Sequence, residues 1–229
     1  TLFWIVGITN AFNLLDNMDG LCAGTAIVGG SFLLFGLAGV SPLPPAASYL
    51  AVLLGATLGF LAYNFHPATI FMGDTGSLFL GLNLAAVTLV AKTEQVGNSG
   101  MLSAIAVPVL LLLVPILDTT LVTIVRLMSG RKPSQGGRDH TSHRLVAIGL
   151  SQRTAVAVLW LLTAAGGGVA IAIQHYDASW GAILTIGLLI TSIIFAVFLA
   201  RIRVYDDAHF RRLREGNITP IVVEFMHKR

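Results

Sequence analysis

Charge is what this chain has least of. Only 11% of its 229 residues are Asp, Glu, Lys or Arg, against about a quarter in ordinary soluble domains. A water-soluble core inside a charged shell is thereby excluded. The lone cysteine, Cys22, rules out a disulfide framework within the chain. No charged start leads into a cleavage site, so the N-terminus is not a secretory signal. No Gly-Lys-Ser/Thr closes a glycine-rich stretch, which removes a Walker loop. Residues 16–20 lack the alternating ligands and the twelfth-position Glu of an EF-hand. Nucleic acid is not an expected partner.

What remains is apolar. Hydrophobic residues make up 55% of the chain. Uncharged runs cover 21–40, 46–65, 75–91, 102–125 (interrupted by Asp118), 154–174 and 180–200. Each is about long enough to cross a hydrocarbon layer of roughly 30 Å, and glycines within them suit close packing between membrane helices. The expected fold is an all-α polytopic membrane protein with about six complete transmembrane helices plus the end of a seventh. A helical core over residues 1–200 would be followed by a basic cytoplasmic tail over 201–229. Residues 1–9 are apolar but too few to span, so the chain is expected to begin partway through a helix of something longer. Threading the runs alternately puts every Lys and Arg except Lys92 on one side or at its boundary, and the positive-inside rule makes that side cytoplasmic. Asp16, Asp19, Asp74, His66, His140 and His143 share it.

Three polar stretches break the apolar pattern. The first puts Asn10, Asn13, Asp16 and Asp19 at three-residue intervals. Helical neighbours three apart share a face, so successive pairs can meet, with the helix tightening or opening near Asp16 and Gly20 ending it. Converging carboxamides and carboxylates could hold a hard divalent cation or simply cap a helix. The second is Gly73-Asp74-Thr75-Gly76-Ser77, just ahead of an apolar helix. Backbone amides there attract anions, whereas Asp74 repels phosphate unless a cation lies between them. Mg2+ bridging to a phosphate is one reading, and a helix cap is the other. The third is the loop 126–145, where Arg138, His140, His143 and Arg144 suit an anionic ligand or make an ordinary positive-inside loop. Within the fourth run, Asp118 is an intramembrane carboxylate. It is either functional or structural at a kink near Pro115.

Taken together, the motifs resemble the polyprenyl-phosphate N-acetylhexosamine-1-phosphate transferase superfamily, of glycosyltransferase 4 type. Asn10 to Leu21 is similar to its Asn-Ala-x-Asn-x-x-Asp-Gly-x-Asp-Gly-Leu motif, Phe71 to Ser77 matches a second, and Arg138 to Arg144 resembles its His-x-His-His loop. The resemblance implies transfer of HexNAc-1-phosphate, most simply GlcNAc-1-phosphate, from a UDP-N-acetylhexosamine to undecaprenyl phosphate, with release of UMP. This would start a cell-envelope polysaccharide at the cytoplasmic face of a bacterial inner membrane. It further implies Mg2+, with Mn2+ as a substitute, held by Asn13 and Asp74. Asp16, Asp19 and Asp74 would be the catalytic carboxylates. Asn10, Asn64, Phe71, Arg138, His140, His143 and Arg144 would contact substrates, with Asp19, Asn64 and Phe71 at the uridine. The lipid bilayer is a partner, and a homodimer is compatible.

Three features depart from the family pattern. Asn17 stands where a Gly is usual, on the expectation that Asn tolerates left-handed backbone angles. Ser142 stands in place of the loop's middle histidine. The family's Asp-Asp-x-x-Asp motif and early helices are absent from this stretch. The competing enzymatic expectation is a phospho-MurNAc-pentapeptide transferase, a branch with three successive histidines. A transporter and a non-catalytic scaffold are the alternatives of another class.

Overall fold

The computed structural model describes residues 1–40, 42–94, 101–132, 137–175, 178–202 and 204. Among them run α1 (Leu2–Leu15), α2 (Leu21–Ala38), α3 (Pro45–Asn64), α4 (Gly73–Glu94), α5 (Met101–Leu111), α6 (Leu113–Met128), α7 (Thr141–Ala147), α8 (Gln152–His175) and α9 (Ala178–Ala200), with no strand. The basic tail expected over 201–229 lies outside the described residues except for 201, 202 and 204.

Five of these helices, α2, α3, α4, α8 and α9, are long and apolar enough to span a membrane alone. The fourth apolar run is not one straight span. It breaks at Leu112 into α5 and α6, which are bent by 78° relative to each other. Counted as one span, the pair brings the total to six, in accord with the expected polytopic membrane fold. Pro115 does not kink this run from within. It sits in the first turn of α6, where a missing N–H would have no intrahelical acceptor anyway.

Bare backbone at such a break must be covered by protein inside a bilayer, and glycines allow that cover. A Cβ on Gly166 of α8 would lie 2.2 Å from the Leu110 carbonyl oxygen, and one on Gly29 of α2 would lie 2.7 Å from that of Leu111. Only glycine lets α2 and α8 approach the break so closely. The outer faces need no such cover. Isoleucines 183, 186, 190 and 194 of α9 are all more than half exposed, and beside lipid tails such exposure carries no penalty.

Two apolar clusters hold the bundle. The larger joins α1 to α5, with Phe12, Leu37, Leu50, Leu84 and Leu110 all fully enclosed. The smaller gathers Leu15, Met18 and Leu21 with Val114, Leu121, Leu145 and Leu159. Its effect is local and important. The apolar residues at 15, 18 and 21 are buried, while Asp16, Asn17 and Asp19 between them remain partly exposed. The turn is thereby pinned, with its polar side chains left partly exposed.

Candidate functional site

The helix carrying the first motif ends earlier than its three-residue spacing suggests. Asp16 is already the C-cap of α1, with φ −77° and ψ 52°. Its N–H is shared between the carbonyls of Phe12 at 3.2 Å and Asn13 at 3.3 Å. Gly20 does not close α1. It opens α2 in the left-handed region, at φ 74°, where its missing side chain is required. Asn17, by contrast, has negative φ, since only glycines are left-handed among the described residues. The expectation of a left-handed Asn17 is corrected. The reversal occurs at Gly20, so Asn17 needs no special backbone freedom.

Ending α1 at Leu15 separates the two carboxylates instead of stacking them on one face. Asp16 stays near Asp74: burial and the Asp74 charge together raise its carboxyl to about pH 6. Asp19 turns toward the loop after α3. Its Oδ2 accepts the His66 ring nitrogen Nδ1 at 2.9 Å and the Ala68 N–H at 3.1 Å. The sequence places His66 only on the same side as Asp19, and the structure makes it the partner of Asp19.

The second motif meets the first at Asn13. The Asn13 amide Nδ2 donates to Asp74 Oδ1 at 3.0 Å and to Ser77 Oγ at 3.1 Å, across more than sixty residues of sequence. Ser77 is fully buried and back-bonds to the Gly73 carbonyl at 3.1 Å. It therefore ties the first turn of α4 to α1. Asp74 itself is exposed, as is Asn10 one turn before Asn13. Phe71 is 77% exposed beside them, leaving its ring face open to a planar ligand.

Asn64, expected at a ligand, is occupied within the fold. It is buried, its Oδ1 accepts the Gly20 N–H at 3.0 Å, and its Nδ2 donates to the Ile70 carbonyl at 3.0 Å. A carboxamide bonded at both ends has little left to offer a substrate. Its work is to clamp the α1–α2 turn to the loop leading into the second motif.

The third stretch divides similarly. Arg144 is buried, with Nε donating to the Asp139 carbonyl at 2.7 Å and Nη1 to those of Leu199 at 2.9 Å and Ile202 at 2.7 Å. It caps the C-terminal end of α9, whose last carbonyls have no helical partners. Arg144, expected at the substrate, is engaged with these backbone carbonyls in the fold. Arg126 and Arg131 likewise converge on buried Asp139, at 3.0 and 2.6 Å. Burial alone would raise that carboxyl, but the two guanidinium groups hold it below the usual carboxylate range. Arg138 is the exposed arginine of the candidate set.

His140 caps α7 and is oriented from α6. Its Nδ1 lies 2.7 Å from Asp118 Oδ2, while Asp118 Oδ1 accepts the Thr141 N–H and Oγ1–H, each at 2.7 Å. Asp118 is fully buried, and it serves α7, not the break at Leu112. Facing a carboxylate acceptor, His140 must carry a proton on Nδ1. The His143 ring stands edge-on to it at 6.3 Å. Burial, with help from His140 and Arg138, pulls the pKa of His143 below the ordinary histidine value, partly opposed by Asp118.

The two positions that depart from the family pattern are bonded to each other. Ser142 Oγ donates to Asn17 Oδ1 at 2.6 Å. The three separated stretches therefore meet at one end of the bundle, with Asn13 to Asp74 joining the first two and Asn17 to Ser142 joining the first and third.

Among the described residues no three His, Cys, Asp or Glu side chains converge on one point, so no caged transition-metal site is built. Asp74 and the Asp16 carboxylate electrostatically coupled to it are hard oxygen donors, and Asn13, whose Nδ2 here faces Asp74, would join them by turning its Oδ1 to the ion. Mg2+ characteristically takes one or two carboxylates and fills its remaining positions with waters and phosphate oxygens. The donor set fits such an ion.

Residues 1–92 match the family described as "Glycosyl transferase family 4". A Bacillus subtilis protein named probable undecaprenyl-phosphate N-acetylglucosaminyl 1-phosphate transferase is 45% identical over 163 residues, covering 71% of this chain and 44% of that protein. A Mycolicibacterium smegmatis decaprenyl-phosphate N-acetylglucosaminephosphotransferase is 37% identical over 70% of this chain and 43% of its own length. The phospho-N-acetylmuramoyl-pentapeptide-transferase of Oceanobacillus iheyensis is 49% identical over a shorter stretch, 41% of this chain and 28% of that protein. The chain spans about half the length, or less, of these curated relatives.

Proposed function

From the match of residues 1–92 to glycosyl transferase family 4 and the likeness to polyprenyl-phosphate N-acetylglucosamine-1-phosphate transferases, we propose that the chain forms part of an enzyme moving N-acetylhexosamine-1-phosphate, GlcNAc-1-phosphate first among them, from a UDP-sugar to a polyprenyl phosphate. In that reaction a phosphate oxygen of the lipid forms a bond to the β-phosphorus of the nucleotide sugar. The bond from that phosphorus to the bridging oxygen breaks, and UMP leaves with the electron pair. The lipid is undecaprenyl phosphate in a bacterial inner membrane, and the site faces the cytoplasm.

The observation that carries this reading is the Asn13 to Asp74 contact, at 3.0 Å. It joins two motifs that lie far apart in sequence, at the end of the bundle where Asp16, Asp19 and His140 also lie. Asn13 and Asp74 would hold Mg2+, which when bound supplies positive charge to neutralise diphosphate oxygens. Asp16 and Asp19 orient the reacting groups, and Asp16 holds or releases a proton near neutral pH. Exposed Phe71 stacks on the uracil ring, and Arg138 with the two imidazoles meets the sugar phosphate.

The test is the complete protein in nanodiscs, supplied in turn with UDP-GlcNAc, other UDP-N-acetylhexosamines and UDP-MurNAc-pentapeptide. UMP release should require a UDP-HexNAc, polyprenyl phosphate and a divalent cation. Asp74→Ala should lower it by at least about 100-fold. Turnover of the pentapeptide nucleotide alone would reassign the substrate. UMP release indifferent to Asp74→Ala would end the reading.

A further inference from the structure

Asn17 and Ser142 belong to different helical neighbourhoods, separated by 125 residues of sequence. Asn17 lies in the turn after α1, between Asp16 and Asp19, while Ser142 lies in the first turn of α7, between His140 and His143. The chemistry of their contact allows one arrangement. Asn17 Nδ2 donates to the Leu14 carbonyl at 2.8 Å, and a carbonyl can only accept. The other end of the carboxamide, Oδ1, therefore faces Ser142, whose hydroxyl must donate. Ser142 is fully buried, so this hydroxyl is removed from bulk water. One Asn side chain thus satisfies a loose carbonyl at the end of α1 and grips the start of α7.

The fold does not need this bond to keep α7 in place. Thr141 is already held by Asp118, Arg144 is bonded to the end of α9, and Leu145 is packed among Leu15 and Leu159. A single neutral hydrogen bond adds modestly to stability. What it adds here is register. Asp118 ties the His140 imidazole to α6, whereas the Asn17 to Ser142 bond ties the first turn of α7, between His140 and His143, to the carboxylate turn itself. We infer that Asn17 and Ser142 are positioning residues, a latch that sets His140 and His143 relative to Asp16 and Asp19. This rests on the transfer reaction proposed above, because only there does that relative placement govern a rate.

Misplacement by about 1 Å can cost on the order of 100-fold in rate, and a loosened latch should sample only part of that range. In the complete protein, Asn17→Ala and Ser142→Ala should each lower kcat about tenfold. KM for the nucleotide sugar should change less than about twofold, since neither residue itself touches substrate. The double variant should be no worse than either single one. The independent readout is amide hydrogen exchange over residues 141–147, which Asn17→Ala should accelerate from its remote position as much as Ser142→Ala does. Multiplying kcat losses in the double variant, an unchanged kcat, or unchanged exchange in α7 would each overturn the latch. If the wild-type protein releases no UMP, the functional reading falls by itself. Exchange then decides the latch alone: coupled acceleration supports it and independent or absent effects reject it.

Discussion

Asp118 offers the sharpest perturbation, because its two oxygens do different work. Oδ1 accepts both the N–H and the hydroxyl of Thr141, and Oδ2 alone meets His140 Nδ1. Replacing it with alanine strips acceptors from three donors on two residues that are themselves almost fully buried. Breaking such a buried, charge-assisted set costs about 3–5 kcal/mol. Asparagine is the more discriminating change. It retains an oxygen for both Thr141 donors and places an NH2 group opposite His140. Nδ1 must then accept, and the ring proton moves to Nε2. The expected loss is about 1–2 kcal/mol, with the imidazole locked in the opposite tautomer. Equilibrium unfolding in mixed micelles gives the energies, and 15N chemical shifts of labelled histidine give the tautomer. A cost under about 1 kcal/mol for Asp118→Ala, or a His140 proton that stays on Nδ1 in Asp118→Asn, would refute this division of work between the two oxygens.

Asp16 makes a prediction about pH. Its carboxyl is raised from 3.8 to about 6 in the folded protein, so its charge is disfavoured there. Stability from this group is unimpaired below about pH 4 and falls as the pH rises through 6, by at most about 3 kcal/mol and less after solvent screening. Asp16→Asn should therefore stabilise the protein in chelator at pH 8 and do nothing at pH 4, and adding Mg2+ at pH 8 should close the gap. A lower melting temperature for the variant at pH 8 would contradict this. Arg144→Lys should cost about 2–4 kcal/mol, since an ammonium cannot serve three carbonyls in the fixed fork of a guanidinium. A raised KM for nucleotide sugar at unchanged stability would instead return Arg144 to the substrate. Asn64→Ala should lose about 1–3 kcal/mol by leaving the Gly20 N–H and Ile70 carbonyl unpaired. Nucleotide affinity, measured by calorimetry, should fall less than fivefold, and a larger fall at unchanged melting temperature would count against the clamp.

The membrane fold was legible because it depends on composition over windows of about twenty residues, the scale on which a bilayer selects. The runs at 21–40 and 46–65 became α2 and α3 within one or two residues at each end. The run at 102–125 looked equally continuous, yet it folds as two helices bent by 78°. Nothing in its apolar sequence says that the Leu110 and Leu111 carbonyls find cover beneath glycines of α8 and α2. The polar residues were legible as a set, since carboxylates and arginines in so apolar a chain stand out. Their division of labour was not. Arg138 and Arg144 look alike in sequence, but one is exposed and the other is bonded to the end of a helix some 55 residues away. Asp118 was visible as an isolated intramembrane acid, while its partner could be named only once α7 had docked.

The chain by itself determined that it must be helical, must lie in a bilayer and must gather its polar chemistry at one end. Those properties follow from how many apolar atoms each stretch carries, and counting needs no coordinates. Tertiary structure decided which polar groups stay available and which are spent on one another. Hydrogen bonding is directional and saturates within about 3 Å, so a side chain's role depends on neighbours that sequence distance does not reveal.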